Sequence, residues 1–187
     1  MVKIYTIIGC IKMKKIEFYI KQGQVIRDNT IIPKAKNYLE KARYNLATLE
    51  VLNKINNKSV KKTLEIPDSY ESYEWIVICG YYAMYSAALA LIAKIGFRSK
   101  NHTATFELIE EYFVKKKILE EDIYLLLKNA VFQREELEKL SDARQKREIA
   151  QYSITKQTTK GIAEKIYKDA KDFVNKCEEI LIKLNKK

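Results

Sequence analysis

The residues from Tyr73 to Ile95 limit the fold of this chain more than any other stretch, because no other segment is as apolar or as rich in small residues. Read as a helix, the segment is roughly 35 Å long at about 1.5 Å per residue. Gly80, Ala83, Ala87 and Ala90 recur at steps of three and four, which places small residues along one side. A helix that is apolar nearly all round is buried nearly all round, so we predict the central helix of a bundle. Aromatic rings are expected to fill the wider gaps around it: Trp75, Tyr81, Tyr82 and Tyr85.

The same segment reaches the length threshold for a membrane span, since Ile76 to Ala93 carries no charge over 18 residues. Three tyrosines, a serine and a glycine lie inside this window, and Glu74 and Lys94 bracket it closely. The other predicted helices are amphipathic, as a water-soluble bundle requires. These features favour a soluble protein that has no membrane partner.

The chain of 187 residues is long enough for one domain with a substantial core, and its two prolines and five glycines favour long helices. Cys10, Cys79 and Cys177 are far apart and odd in number, which favours a reduced, cytoplasmic setting. With one histidine and no CxxC pair, the sequence predicts neither a metal site nor a cofactor.

The net charge is +11, from 35 Lys and Arg against 24 Asp and Glu. A charge of this sign favours an anionic partner such as RNA, DNA or a nucleotide. The alternative is a lysine-rich surface that keeps a helical protein soluble or adapts it to heat. Because the charged residues are spread along the chain, composition leaves both interpretations open.

Breakers and apolar periodicity divide the chain into helices. Residues 1–30 are expected to be an N-terminal extension with a short helix, starting at Met1 or at Met13, and residues 24–32 a connection. Residues 31–187 are expected to form a single domain. The predicted fold is all-α, an up-and-down antiparallel bundle of about five helices. The expected helices are Lys14–Gln22, Pro33–Ile55, the central helix, a helix capped by Ser99 or Asn101, Glu120–Ala150 and Thr158–Leu184.

The most informative anomaly is at the end of the predicted helix Glu120–Ala150. Its apolar stripe continues, at steps of three and four, to Arg144 and Arg147. Charged side chains are almost never buried without a partner, so this face is expected to meet a cleft, a subunit interface or an anion site. One interpretation is a phosphate-binding and ring-stacking set, and the alternative is a solvated helix end with ordinary salt bridges. The set comprises Arg144, Lys146, Arg147 and Tyr152.

His102 is the single histidine and lies at a predicted helix start, just after Lys100. A histidine in this position is a candidate general base or phosphate contact. The alternative is a polar surface residue beside a helix cap. The sequence contains no Gly-rich phosphate loop, no HExxH helix and no catalytic Cys/His spacing.

Four motifs follow one another along the chain: Tyr81-Tyr82-Ala83-Met84-Tyr85-Ser86-Ala87-Ala88, then Gly96, then Lys100-x-His102, then Arg147-x-x-Ala150-x-Tyr152. Their order and spacing resemble the HEPN-domain proteins and are most similar to the small stand-alone prokaryotic members. The resemblance covers about Lys14 to Leu184. It implies a HEPN-like helical bundle that forms homodimers.

The resemblance also implies an activity and a protein partner. Many HEPN proteins are toxins or defence ribonucleases. Their motif is an arginine, usually followed by a polar residue, and a histidine four to six positions after the arginine, and two copies of this motif meet across the dimer and cut RNA without a metal. Many are paired with a minimal nucleotidyltransferase antitoxin, which adenylylates a tyrosine near that motif. Here Arg147 matches the arginine, Glu148 replaces the usual Asn or Asp, and Tyr152 takes the place of the histidine. Tyr152 is therefore also the candidate for modification.

Three hypotheses remain open. The first is a non-catalytic HEPN subunit that binds RNA or nucleotide through Arg144, Lys146 and Arg147, with Lys100 as a further contact, or that docks a nucleotidyltransferase. The second is an active metal-independent ribonuclease toxin, in which Arg147 stabilises the phosphorane charge and Tyr152, or His102 from elsewhere in the dimer, assists proton transfer. Tyrosine, with a pKa near 10, is a poor base at neutral pH. The third is a non-enzymatic scaffold dimer whose arginines form interface salt bridges.

Overall fold

The computed structural model describes residues 15–146 and 154–186, and their side chains apart from those of 138–146 and 154–159. Within these ranges the chain is helical except for two short strands and their connections. The elements are α1 (residues 15–21), β1 (Val25–Arg27), a 3-10 helix (Asn29–Lys34), α2 (Ala35–Ile55), α3 (Lys58–Thr63), α4 (Tyr73–Lys94), β2 (Phe97–Ser99), α5 (His102–Ile109), a π-helical segment (Glu110–Val114), α6 (Glu121–Lys146) and α7 (Ile154–Asn185). The predicted all-α bundle is confirmed.

The four long helices alternate in direction, which confirms the up-and-down arrangement. Helices α2 and α4 are antiparallel, because the Ser72 hydroxyl before α4 donates to the carbonyl of Leu52, near the end of α2, over 2.7 Å. Helix α7 runs parallel to α4, since Ile166 packs on Gly80 near one end and Leu181 lies near Lys94 at the other. Helix α6 is antiparallel to α7. An ion pair of 2.5 Å joins Lys176 of α7 to Glu120, the residue before α6.

The small-residue side of α4 is buried, as predicted. Gly80, Ala83, Ala87 and Ala90 all lie in the core between α2 and α7. A side chain at Gly80 would meet the Cγ2 methyl of Ile166 well inside van der Waals contact, so only glycine permits this approach of α7. In the described ranges, α4 is the one helix long and apolar enough to cross a membrane, and 72% of its 18-residue apolar window is buried in the protein. The apolar composition of α4 is thus that of a core helix.

The aromatic side of α4 differs from the prediction. Tyr81 is buried and Tyr85 partly buried, but Trp75 is 56% exposed and Tyr82 41% exposed. The expectation that all four rings fill gaps between helices is wrong for Trp75 and Tyr82. Helices α2 and α7 pack on the small-residue side, and α6 crosses α4 beside Tyr81, so neither of these two rings is enclosed.

The connection expected at residues 24–32 contains regular structure. Strand β1 pairs antiparallel with β2, and Val25, opposite Ser99, is buried. Gly96 ends α4 in the left-handed conformation, with φ of 78°, and its carbonyl accepts the amide of Asp28 over 2.8 Å. Asp28 then caps the 3-10 helix, its side chain accepting the amide of Thr30. This strand pair ties the first described residues to the bundle.

Several helix boundaries and seams agree with the prediction. Helix α2 ends at Ile55, and Asn101 caps α5 by accepting the amide of Ala104 over 2.8 Å. Two features were not predicted, the π-helical segment after α5 and the short helix α3 between α2 and α4. The predicted helix Thr158–Leu184 rests on an apolar repeat at Ile162, Ile166, Ala170, Phe173, Cys177, Ile180 and Leu184. Five of these positions are buried, and Ile162 and Leu184 are partly buried.

Candidate functional site

The predicted phosphate-binding set lies only partly within the described structure. Arg147 and Tyr152 fall outside the described residues, and with them the prediction of a modification site. Arg144 and Lys146 lie in the last described turn of α6, where the backbone is helical. The prediction that Arg144 and Arg147 share one face therefore stays a prediction.

Basic residues are concentrated where α6 ends and α7 begins. The sequence from residue 143 to 160 contains five basic residues and one acidic residue, Glu148. Seven residues join the two helices, so the last turn of α6 and the first turn of α7 lie at the same end of the bundle. We call this group the cationic end: Arg144, Lys146, Arg147, Lys156 and Lys160.

A second cluster lies where α4 crosses α6, and it is built on Arg134. The guanidinium carbon of Arg134 is 4.7 Å from the ring centroid of Tyr81 and 5.5 Å from that of Tyr82. A hydrogen bond also joins the Arg134 side chain to the Tyr81 side chain. A cation over an aromatic ring at this distance is attracted by the negative face of the ring. Arg134 is thus held by one buried and one exposed tyrosine.

His102 lies at the other edge of the same crossing. Its Nε2 atom is 3.4 Å from Oε1 of Glu135, the residue next to Arg134 on α6. Its ring centroid lies 6.5 Å from that of Tyr85 and 6.3 Å from that of Phe106. The structure therefore gives the histidine a carboxylate partner, which is the arrangement that orients a histidine for proton transfer.

His102 is distant from the cationic end within one chain. Glu135, its partner, precedes Arg144 by nine residues, which is about 14 Å along a helix. Lys100 is exposed at the end of β2, and its amide donates to the carbonyl of Gln24. The structure thus groups His102 with α4 and α6 rather than with the last turn of α6.

The tyrosines of α4 form a continuous ring system beside this cluster. Tyr81 and Tyr85 are stacked, with centroids 5.7 Å apart and ring planes 13° from parallel. The hydroxyl of Tyr85 lies 3.3 Å from the hydroxyl of Thr105. Burial raises the pKa of both Tyr81 and Tyr85, although the Arg134 hydrogen bond opposes this for Tyr81. Both hydroxyls are therefore neutral at physiological pH and serve as hydrogen-bonding and packing groups.

Arg134 and Glu135 were absent from the sequence-based site. A signal for Arg134 was available, because it continues the buried positions Leu127, Ala130 and Val131 at steps of three and four. The reasoning that singled out Arg144 would also have identified Arg134, ten residues earlier in the same helix, as an arginine on the apolar stripe. For metals, the described ranges contain no group of three or more His, Cys, Asp or Glu side chains that would hold an ion.

The chain is similar to a known protein family and to a protein of Archaeoglobus fulgidus. The model of the HEPN domain matches residues 35–180, from the start of α2 to near the end of α7. A UPF0332 protein of Archaeoglobus fulgidus is 34% identical over 111 residues, which cover 59% of this chain and 78% of that protein. No solved structure is significantly similar to the chain.

Proposed function

Because this chain belongs to the HEPN domain family, we propose that it is a homodimeric RNA- or nucleotide-binding subunit of a toxin–antitoxin or defence system. Its protein partner in this proposal is a minimal nucleotidyltransferase, and its location is the cytoplasm. The free thiols of Cys79 and Cys177 are consistent with a reducing compartment.

The observation that carries the proposal is the cationic end. Five basic residues against one acidic residue form a local excess of positive charge where two long helices end and begin. Lysine and arginine neutralise phosphates and release their counterions, which gives affinity for RNA without sequence preference. Arginine also contacts a phosphate through two parallel N–H groups, which lysine does not.

The proposal favours binding over cleavage because of the residues after Arg147. The only histidine of the chain precedes it, and Tyr152 occupies the place of the family's histidine. Tyrosine, whose ordinary pKa is about 10, is a poor general base at neutral pH. A subunit with this motif binds its nucleic acid, or its partner, without requiring the cleavage step.

The test is RNA binding by fluorescence anisotropy at two salt concentrations. We expect the double variant Arg144→Ala/Arg147→Ala to weaken binding about tenfold and to lower the salt dependence by roughly one to two counterions. The control is the double variant Lys34→Ala/Lys36→Ala, which removes two charges at the start of α2, at the opposite end of the bundle. Absence of RNA and nucleotide binding, or equal weakening by both doubles, would overturn the proposal. Light scattering on the same samples tests the homodimer.

The second candidate function is the active ribonuclease, which the contact between His102 and Glu135 favours. In this reaction His102 of one protomer takes the proton of the 2′-hydroxyl, whose oxygen bonds to phosphorus, and Arg147 of the other protomer stabilises the phosphorane charge. The bond from phosphorus to the 5′-oxygen then breaks, and the 5′-oxygen takes the proton from His102, which leaves a 2′,3′-cyclic phosphate. We expect His102→Gln and Arg147→Ala each to abolish cleavage if this reaction occurs. Intact RNA after incubation with the wild-type dimer would exclude it. Arginine variants that change only dimer stability would instead support the scaffold hypothesis.

A further inference from the structure

We propose that the exposed side of α4, formed by Trp75 and Tyr82 with Arg134 beside it, stacks the bases of single-stranded RNA. This inference rests on the proposed function, because it specifies which form of RNA the subunit binds and where the bases lie. We call this surface the stacking face. It is distinct from the cationic end, which supplies phosphate contacts.

At the inner end of the stacking face, the guanidinium of Arg134 lies beside the ring of Tyr82. Tyr82 is 41% exposed, and the guanidinium of Arg134 lies 5.5 Å from its ring centroid. Buried Tyr81, at 4.7 Å from the same guanidinium, fixes the position of Arg134. A base placed on the Tyr82 ring would therefore have a positive charge within reach of its phosphate or its own ring. Aromatic rings and arginine are the groups on which unpaired bases stack.

The outer end of the stacking face is Trp75, on the same side of α4. Seven residues separate Trp75 from Tyr82, so they lie on one face about 10 Å apart along the helix. Stacked bases rise about 3.4 Å each, so this distance spans about three nucleotides. Cys79, four residues after Trp75 and three before Tyr82, is partly exposed on a neighbouring part of the same helix surface.

The stacking face leads toward the cationic end. Because α6 is antiparallel to α4, the start of α4 lies toward the end of α6 that carries Arg144 and Lys146. Trp75 is therefore nearer than Tyr82 to the basic residues. A strand stacked first on Tyr82 and then on Trp75 would continue toward the group that neutralises its phosphates.

Charge favours RNA over a protein as the occupant. Tryptophan, tyrosine and arginine are also enriched at protein interfaces, so the rings alone fit either partner. The chain carries a net charge of +11, and the stacking face ends near its most basic segment. Three carboxylates near the face have interaction partners: Glu135 contacts His102, and Glu74 and Glu136 each take part in a further interaction. The cation that meets the exposed ring is that of Arg134.

The inference makes single-stranded RNA the preferred form. In a duplex the flat faces of the bases are stacked on one another and are closed to side chains, and the protein then reads only shape and backbone. We therefore expect an oligonucleotide of about twelve unpaired nucleotides to bind more tightly than its duplex. Equal affinity for the two forms would contradict the inference.

The experiment measures binding of that oligonucleotide to full-length variants. We expect Tyr82→Ala and Trp75→Ala each to weaken binding by about fivefold or more, and Tyr82→Phe and Trp75→Phe to retain most of the affinity because they keep a ring. The matched control is Tyr44→Ala, which removes a 73% exposed tyrosine from α2. Trp75 is the single tryptophan of the chain, so stacking is also expected to quench the intrinsic fluorescence of the wild type.

The outcomes separate the inference from the proposed function. If the wild type binds no RNA, both fail. If binding is weakened by Arg144→Ala/Arg147→Ala, but not by the ring variants, and the tryptophan fluorescence does not change, the inference alone fails. If the ring variants change the mass of the dimer and leave the RNA affinity unchanged, the face is a protein interface and the inference is overturned. Weakening by the alanine variants, retention by the phenylalanine variants and quenching together support it.

Discussion

The two sides of helix α4 have opposite compositions and opposite environments. The small-residue side is buried between α2 and α7, whereas the side that carries Trp75 and Tyr82 is exposed. Large aromatic residues bury more apolar area than alanine and glycine, so burial of the rings would have stabilised the fold more per residue. The comparison indicates that the small residues act by letting neighbouring helices approach. The exposed rings remain available for a partner.

Side chains from neighbouring helices contribute much of the packing on the buried side of α4. Gly80 has no side chain, but it allows Ile166 of α7 to pack against the backbone of α4. Met84 and Leu91 lie one turn from Gly80 and Ala87 respectively and are fully buried. Close packing of this kind contributes many weak contacts, each lost when a gap opens.

The largest effect is expected from a cavity on the buried side. Leu91→Ala removes a fully buried side chain, and we expect the free energy of unfolding to fall by about 2–5 kcal/mol. Urea denaturation measures this loss. Leu89→Ala, the same change at a partly exposed position of the same helix, is the control and should cost less. Equal losses at the two positions would contradict the difference between the sides.

The second largest loss of stability is expected from overpacking at the contact between α4 and α7. Gly80→Ala places a methyl group against Ile166, and overpacking costs about 1–3 kcal/mol. The better helix propensity of alanine offsets up to about 1 kcal/mol, so we expect a net loss of up to about 2 kcal/mol. Gly161→Ala in α7 is the matched control, since a side chain there would meet no atom within 4 Å. It should leave stability unchanged or raise it.

The buried hydroxyl of Tyr81 is expected to make the free energy of unfolding depend on pH. Burial raises the pKa of Tyr81 above its ordinary value near 10, which favours the neutral hydroxyl in the folded state. This contribution is fully present below about pH 10 and is lost as the pH rises, because the unfolded chain ionises first. We expect Tyr81→Phe to lose less stability than the wild type between about pH 8 and pH 11. An equal loss in both proteins over this range would contradict the prediction.

The bundle could be predicted because its signals are local and repeated. Apolar periodicity over many turns predicted the end of α2 at Ile55 and the buried positions of α7, and Asn101 was one of the two residues predicted to cap α5. Strands β1 and β2 span three residues each, which is too short for a period to be recognised. Their pairing joins residues at least seventy positions apart, so it follows from the tertiary structure.

The candidate site was predictable in its residue types but not in its grouping. The rings of Tyr81, Tyr82 and Tyr85 were visible as a motif, but which of them is exposed depends on where α6 crosses α4. The pairing of His102 with Glu135 also depends on that crossing. The composition of α4 predicted burial on every side, because hydropathy measures the preference of a residue and not the number of neighbouring helices.

The smallest effect on stability is expected on the stacking face. Trp75 is 56% exposed, so Trp75→Ala should change the free energy of unfolding by no more than about 0.5–1 kcal/mol. Phe132→Ala on α6, equally exposed, is the control for the loss of an exposed ring. Urea denaturation of both variants measures the effect. A loss as large as that of Leu91→Ala would mean that the ring is part of the core. A small loss, combined with weakened RNA binding in the same variant, would assign stability to one side of α4 and recognition to the other.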